Sequence, residues 1–201
     1  MGSEMCIRDS YQITDTAKIH DFIEENAFGE LISVNNNVPT ATHMPFLFDA
    51  AHNTLTAHIA KQNPHWEILD QASVLIILNG PHDYISPNWY SVASVPTWNY
   101  QTVHITGQCS TFTDPDLLQQ TVNQLSEKYE AQFKQPWQAE YNPKMLRGIV
   151  GLEIEIDSIQ CAFKLNQGKS DQDRNEVARQ LELQGNIALA DAMRKNLNNA
   201  R

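Results

Sequence analysis

The 201-residue sequence has no hydrophobic segment long enough to cross a membrane, and its longest apolar run, residues 74–78, is only strand-sized. A membrane-spanning helix needs about 20 apolar residues, so this class is excluded. Cysteine is also scarce, because Cys6, Cys109 and Cys161 form neither a C-x-x-C pair nor a zinc-binding spacing. This pattern is typical of reduced thiols, and we expect a cytoplasmic protein.

Positive charge is the next scarcity, since the formal net charge is −10. Residues 1–164 carry 8 Lys and Arg against 19 Asp and Glu, whereas residues 165–201 carry 6 against 5. A DNA-binding protein normally clusters several cations to displace counterions from phosphates. Direct nucleic-acid binding is therefore disfavoured on charge, and contact with a protein partner is favoured. Lys61 is the only Lys or Arg between Lys18 and Lys128, so an anionic cofactor there has one candidate for a permanently charged partner.

Several catalytic and cofactor motifs are missing as well. The chain has no G-x-G-x-x-G, no G-x-S-x-G and no two histidines four residues apart. A Rossmann fold, an α/β-hydrolase site and a helical metal site are therefore disfavoured, and we expect no bound metal ion. A haem ligand among His43, His58 and His104 stays open.

The order of predicted elements indicates an antiparallel barrel with helical additions. Thr14 or Asp15 caps a helix that ends near residue 26, and an Asn turn at 35–37 joins strands expected at 31–34 and 38–48. Further strands are expected at 55–59, at 73–78, at 97–112 with a bend at Gly107, and at 149–163. Gly80 and Pro81 should terminate the second of these strands. A short helix should start at Pro64, another at residues 114–115, and a helical tail after Ser170 with a break at Gly185. Few helices separate the strands, which favours a mainly β fold with flanking helices.

Two groups of residues could carry chemistry. His58, Lys61 and Asn63 lie between a strand end and a helix start, and such a place can hold a phosphate. Thr42 could add a hydroxyl group, and His43 follows it on the preceding strand. The alternative is that these are surface histidines and a solvated lysine. Aromatic residues at 84–90 and 96–100 could stack on a flat ring, or they could pack in the core or at a dimer interface. The two aromatic interpretations agree if a cofactor lies at a dimer interface.

Six blocks in order carry a resemblance to a known family: residues 41–46 (ATHMPF), 58–66 (HIAKQNPHW), 80–90 (GPHDYISPNWY), 95–100 (VPTWNY), 147–151 (RGIVG) and 163–167 (FKLNQ). Together they resemble the PaiB-like family, the FMN-binding negative transcriptional regulators. The resemblance covers about residues 11–182.

The resemblance implies an FMN-binding split β-barrel related to pyridoxamine 5'-phosphate oxidase, present as a homodimer with FMN at the subunit interface. It implies that residues 11–168 form this domain and residues 169–201 a helical extension. Residues 1–10 have no apolar core of a signal peptide and are interpreted as a non-native or disordered leader.

Position by position, the resemblance assigns the cofactor site to Thr42, His43, His58, Lys61, Asn63, Tyr84, Ser86, Thr97, Trp98, Asn99, Lys164 and Gln167. The resemblance implies that residues 58–63 bind the phosphate and the ribityl chain, with Lys61 as the cation. It also implies that Lys164 and Gln167 close the site, from the same or the partner subunit. The family often has Arg at position 61, and Lys keeps the charge without the bidentate fork. Residues 166–168 read Asn-Gln-Gly where the family more often has Ser-Gln-Asn.

Three functions follow from these observations. The first is an FMN-binding regulatory protein that acts through flavin binding and protein partners. The second is a flavin-dependent oxidoreductase or flavin reductase, for which no catalytic residue is assigned. The third is a haem-binding split-barrel protein.

Overall fold

The computed structural model describes residues 9–137 and 143–198. Residues 1–8 of the expected leader, residues 138–142 and the last three residues lie outside the described residues.

In the described part of the chain, most helices and strands lie where the sequence predicts them. They are β1 (Gln12–Ile13), α1 (Thr16–Glu25), β2 (Phe28–Asn35), β3 (Val38–Pro45), β4 (Leu47–Asp49), β5 (Thr54–Ala60), β6 (Ala72–Ile85), β7 (Thr97–Phe112), α2 (Pro115–Glu130), β8 (Ile149–Lys164), α3 (Asp171–Leu183) and α4 (Ile187–Asn198). Short 3-10 helices form at Asp9–Tyr11, Pro64–Ile68, Pro87–Trp89 and Pro143–Gly148. Within these ranges no helix is both long enough and apolar enough to cross a membrane.

The strands form one sheet in the order β3-β2-β6-β7-β8-β5-β4, and β1 pairs with β8 outside this path. The pairs β2–β3, β2–β6, β4–β5, β5–β8 and β1–β8 are all antiparallel. The predicted mainly β, antiparallel class is therefore confirmed.

Local signals explain where the elements begin and turn. The Asp15 carboxylate accepts hydrogen bonds from the N–H groups of Ala17 and Lys18, so it caps α1. Asn36 and Asn37 have φ values of 50° and 62°, which suit the two-residue turn between β2 and β3. Gly185 has φ 88° between α3 and α4, as expected of a residue that ends a helix.

Strand β6 is longer than expected. Instead of ending at Gly80–Pro81, it continues to Ile85. Its ladder with β2 involves only Leu75 to Leu78, so the missing N–H of Pro81 removes no bond from that ladder. β3 is shorter than expected, because Leu47–Asp49 form a separate strand that pairs with β5.

The chain divides into two compact units, interleaved in sequence. Of the described residues, unit 1 contains 9–19, 79–103 and 160–198, and unit 2 contains 20–78, 104–137 and 143–159. Fully buried side chains in unit 2 include Phe46, Leu55, Ile76, Ile105 and Leu152. In unit 1, Val177 and Leu181 of α3 and Leu189 and Met193 of α4 are buried. The boundary expected at residue 168 stays a prediction.

Gly107, at the bend expected within β7, permits a close approach to β8 in unit 2. A Cβ atom at this position would lie 2.3 Å from the Glu155 carbonyl oxygen and 2.8 Å from Cγ2 of Ile154. A side chain there would require the backbone to shift, so β7 needs a glycine at this position.

Candidate functional site

The segment that follows β5 in unit 2 is organised around a buried histidine. His65 is 3% exposed, and its two ring nitrogens lie 2.9 Å from Ser33 Oγ and 2.8 Å from Thr42 Oγ1. Burial lowers the pKa of His65, so the neutral imidazole is favoured at pH 7. Because both ring nitrogens have a hydroxyl partner, the ring position is fixed.

Asn63 connects this histidine to the loop. Its side-chain oxygen accepts a hydrogen bond from the His65 N–H at 3.0 Å, and its Nδ2 donates to Thr42 Oγ1 at 3.2 Å. Thr42 and Asn63, both expected at the site, are therefore brought together by a residue to which the sequence assigned no role. The signal that could have pointed to His65 is its place directly after Pro64, where an Asn cap orders the backbone.

Lys61 has a fixed backbone and a free charge. Its N–H donates to the Gly148 carbonyl at 2.8 Å, and its carbonyl accepts a hydrogen bond from the Trp66 indole at 3.1 Å. Its side chain is exposed, and among the described residues its ammonium has no hydrogen-bond or ion-pair partner. Only the side chain would have to be ordered when an anion binds.

His58 lies on β5, opposite Gly151 of β8. Its ring is partly buried, and burial lowers its pKa. The Nδ1 atom is fully buried and has no hydrogen-bond partner among the described residues. A buried polar nitrogen without a partner costs free energy, so this atom is a candidate for contact with a bound molecule.

His43 does not join this group. It is the neighbour of Thr42 on β3, and successive side chains of a strand point to opposite faces. Its Nε2 lies 3.5 Å from Oε1 of Glu30, its partner in the β2–β3 register, and its side chain is 61% exposed.

The expected helix after Asn63 is a 3-10 helix of five residues, Pro64–Ile68. Pro64 has no N–H, and the next N–H, that of His65, is already satisfied by Asn63. The helix therefore supplies little of the positive end that the sequence suggested, and Lys61 carries the charge of this region.

The other expected site residues lie in unit 1. Tyr84 and Trp98 form an edge-to-face pair, with ring centroids 6.2 Å apart and an angle of 73°. They are 41% and 54% exposed, so these rings present a free aromatic surface. Ser86, by contrast, caps a short 3-10 helix by accepting from the Asn88 N–H.

Two more expected residues have structural partners. Asn99 is fully buried, and its Nδ2 donates to Met193 Sδ at 3.4 Å, while its Oδ1 lacks a partner in the described part of the chain. The Gln167 side chain bridges backbone groups, because its Oε1 accepts from the Leu165 N–H at 2.8 Å and its Nε2 donates to the Phe163 carbonyl. Gln167 thus holds the turn after β8.

Thr97 and Lys164 line a cleft of about 510 Å³ in unit 1. Lys164 Nζ donates to Thr97 Oγ1 at 2.5 Å. A second lysine, Lys169, donates to Ser94 Oγ at 2.8 Å and lies 4.4 Å from the centre of the Tyr90 ring. The sequence assigned no role to Lys169, and Tyr90 is one of the aromatic residues at 84–90 expected to stack on a flat ring or to pack in the core or at a dimer interface.

Comparison with known proteins identifies what the chain is similar to. Residues 5–158 match the model of the family described as "Putative FMN-binding domain". The chain is 37% identical over 191 residues to the protease synthase and sporulation protein PAI 2 of Bacillus subtilis (strain 168), which covers 90% of this chain and 91% of that protein. These two matches confirm the resemblance to FMN-binding, PaiB-like proteins.

Solved structures support the fold. The FAD and heme binding protein from Mycobacterium smegmatis has a TM-score of 0.63 at 15% identity, over 81% of this chain and 78% of that one. The flavocytochrome Anf3 from Azotobacter vinelandii has a TM-score of 0.61 at 11% identity, over 83% and 77%. At these identities the likeness confirms the split-barrel fold alone.

Proposed function

We propose, from the premise that this chain belongs to the FMN-binding family whose model it matches, that the phosphate of FMN binds in unit 2 beside Lys61. The observation that carries this proposal is the free ammonium of Lys61 on a backbone fixed by Gly148 and Trp66. A phosphate dianion forms its strongest hydrogen bonds with charged donors, and Lys61 is the only Lys or Arg between Lys18 and Lys128.

The neighbouring residues fit such a ligand. His58 Nδ1 is a buried nitrogen in need of a partner, and it lies on the strand that leads into the Lys61 loop. The Ser33–His65–Thr42–Asn63 network gives this loop a fixed, uncharged support. We assign Lys61 and His58 to ligand contact, and Thr42, Asn63 and His65 to positioning. FMN supplies hydride or electron transfer when bound.

A homodimer is the second part of the proposal. Tyr84 and Trp98 are large, exposed aromatic side chains, and aromatic residues are enriched at protein interfaces. We assign this pair to the dimer seam, next to which we expect the flavin to lie. Replacing Trp98 with Ser should shift the mass measured by light scattering from dimer to monomer at low micromolar concentration. A monomeric native chain, or a Trp98→Ser variant that remains fully dimeric, would contradict this assignment.

A regulatory role through protein partners is the third part. The Bacillus subtilis relative is named for protease synthase and sporulation, which suggests regulation. With a net charge of −10, this chain is better suited to protein contacts than to phosphate backbones. The free, buried thiols of Cys109 and Cys161 support a reducing, cytoplasmic location.

The test of the flavin proposal is the visible spectrum of the purified chain, followed by titration of the apoprotein with FMN. We expect flavin absorption, release of FMN on heating, and saturable quenching of flavin fluorescence. A Soret band without flavin would instead support the haem alternative. Anaerobic mixing of the holoprotein with NADH or NADPH tests the oxidoreductase alternative, because bleaching of the flavin band would demonstrate reduction.

A further inference from the structure

The His58 side chain differs from that of His65 in that no hydrogen bond orients it. His65 is held at both ring nitrogens, whereas the His58 ring has no hydrogen-bond partner within the described part of the chain. Its Nδ1 atom is nonetheless fully buried. A ring that no hydrogen bond holds can change its rotamer unless neighbouring side chains fill the space around it. Packing must therefore set the direction of the His58 ring.

An aromatic ring from another strand fills the space opposite His58. Gly151 of β8 is the register partner of His58, and paired positions of an antiparallel ladder face the same side of the sheet. A Cβ atom built on Gly151 would collide with Cζ and Cε2 of Phe112, and it would lie 2.6 Å from Cδ2 of that ring. The tip of the Phe112 ring thus lies over Gly151, where a side chain paired with His58 would otherwise be. All three residues belong to unit 2.

Filling this space restricts where the imidazole can lie. Without Phe112, a side chain opposite a glycine could lean across β8, and water could then reach Nδ1. With the ring in place, His58 is confined to the line of β5, where Thr56 and Ala60, its neighbours on the same face, are small. Strand β5 leads directly into the loop of Lys61. The confinement therefore keeps Nδ1 free of water on the strand that leads to the cation of the proposed phosphate site.

We propose that Phe112 is a positioning residue for FMN binding, because its ring holds His58 in the direction that presents Nδ1 to the flavin phosphate. Gly151 is required so that the ring can lie in this place. The inference rests on the proposed assignment of His58 to ligand contact, and both Phe112 and Gly151 act through His58. Phe112 is the last residue of β7, so only the assembled sheet brings it near His58.

The first test is Phe112→Leu, which removes the ring tip over Gly151 and keeps an apolar side chain, so that the variant should fold. Fluorescence titration of the apoprotein should give a Kd for FMN about five- to tenfold higher, because a hydrogen bond to a charged group is weakened. The Kd for riboflavin, which has no phosphate, should stay within about twofold. The matched control is Phe133→Leu, which shortens an exposed phenylalanine of the same unit.

Two combined variants separate positioning of His58 from general support of the fold. In a His58→Ala background, Phe112→Leu should change the Kd for FMN by less than about twofold, because no imidazole is left to position. Phe112→Val clears the space over Gly151 and should also weaken FMN binding. Adding Gly151→Ala to Phe112→Val should lower the Kd for FMN again by about threefold, since the new methyl group refills this space.

Equal weakening of FMN and riboflavin binding in Phe112→Leu would overturn the inference, because Phe112 would then support the fold rather than the phosphate contact. A Kd for FMN within about twofold of the native value in Phe112→Leu, or an effect of full size in the His58→Ala background, would also overturn it. Either result leaves the flavin proposal intact if Lys61→Ala still weakens FMN binding. The flavin proposal itself fails if His58→Ala and Lys61→Ala both keep the native FMN affinity.

Discussion

Replacing Lys61 with Ala tests the flavin site most directly. The ammonium has no partner to lose among the described residues, and the backbone bonds to Gly148 and Trp66 are unaffected by side-chain truncation. The fold should therefore keep its free energy of unfolding to within about 0.5 kcal/mol, as is usual for an exposed position. Any loss of FMN affinity can then be attributed to the missing charge.

The size of the loss follows from the exposure of the side chain. A hydrogen bond to a charged group contributes about 1.5–3 kcal/mol, and exposure and salt reduce this toward the lower end. At about 1.4 kcal/mol for each factor of ten, we expect the Kd for FMN to rise by about tenfold at 0.15 M salt. Lys61→Arg should bind FMN at least as well as the native chain, because its guanidinium can contact two phosphate oxygens.

The assay is fluorescence titration of apoprotein with FMN and with riboflavin, which lacks the phosphate. Lys61→Ala should weaken FMN binding and leave riboflavin binding unchanged. Lys134→Ala, a charge removal at an exposed position of the same unit, is the control. A Kd for FMN that changes by less than about threefold in Lys61→Ala would refute the assignment of the phosphate to this residue.

Three further predictions concern the framework of unit 2. Because burial lowers the pKa values of His58 and His65, the unfolded chain binds more protons at acid pH, so the free energy of unfolding should fall as the pH drops below about 6.5. Urea unfolding measured at several pH values should show this decrease in the free energy of unfolding, and His65→Gln should make the decrease smaller. An equal decrease in the variant would contradict the role of His65. Gly107→Ala should lower the free energy of unfolding by about 1–3 kcal/mol, because its Cβ would meet the Glu155 carbonyl, and an unchanged urea midpoint would exclude this clash. Burial and the nearby Asp70 raise the pKa of Cys109 to about 12, so iodoacetamide at pH 8 should label this thiol only after unfolding. Rapid labelling at Cys109 in the native chain, located by mass spectrometry, would contradict its burial.

The parts of the fold that sequence reasoning predicted are those with a strong local cause. The Asn36–Asn37 turn, the Asp114 cap of α2 and the Gly185 break each depend on residues a few positions apart. The extent of β6 could not be predicted in this way. A Gly-Pro pair normally ends a strand, whereas β6 continues through it to Ile85, beyond the end of its ladder with β2 at Leu78.

The candidate site divides along the same line. Lys61 could be identified from sequence because it is isolated among carboxylates and neutral residues. The role of His65 could not, since its partners Ser33 and Thr42 lie 32 and 23 residues away. The separation of Thr42 from His43, however, follows from the two-residue period of a strand, which the sequence already contained.

Charge gives the function its sharpest physical constraint. A chain with net charge −10 repels FMN at long range, while Lys61 attracts the phosphate at short range. Added salt weakens the repulsion, which raises the affinity, and also weakens the attraction, which lowers it. Because these two changes have opposite signs, the affinity for FMN should depend only weakly on ionic strength. Binding to DNA would depend much more steeply on salt, because each neutralised phosphate adds about one power of salt dependence. The salt dependence of whatever this chain binds therefore distinguishes a flavoprotein that acts through protein partners from one that contacts DNA itself.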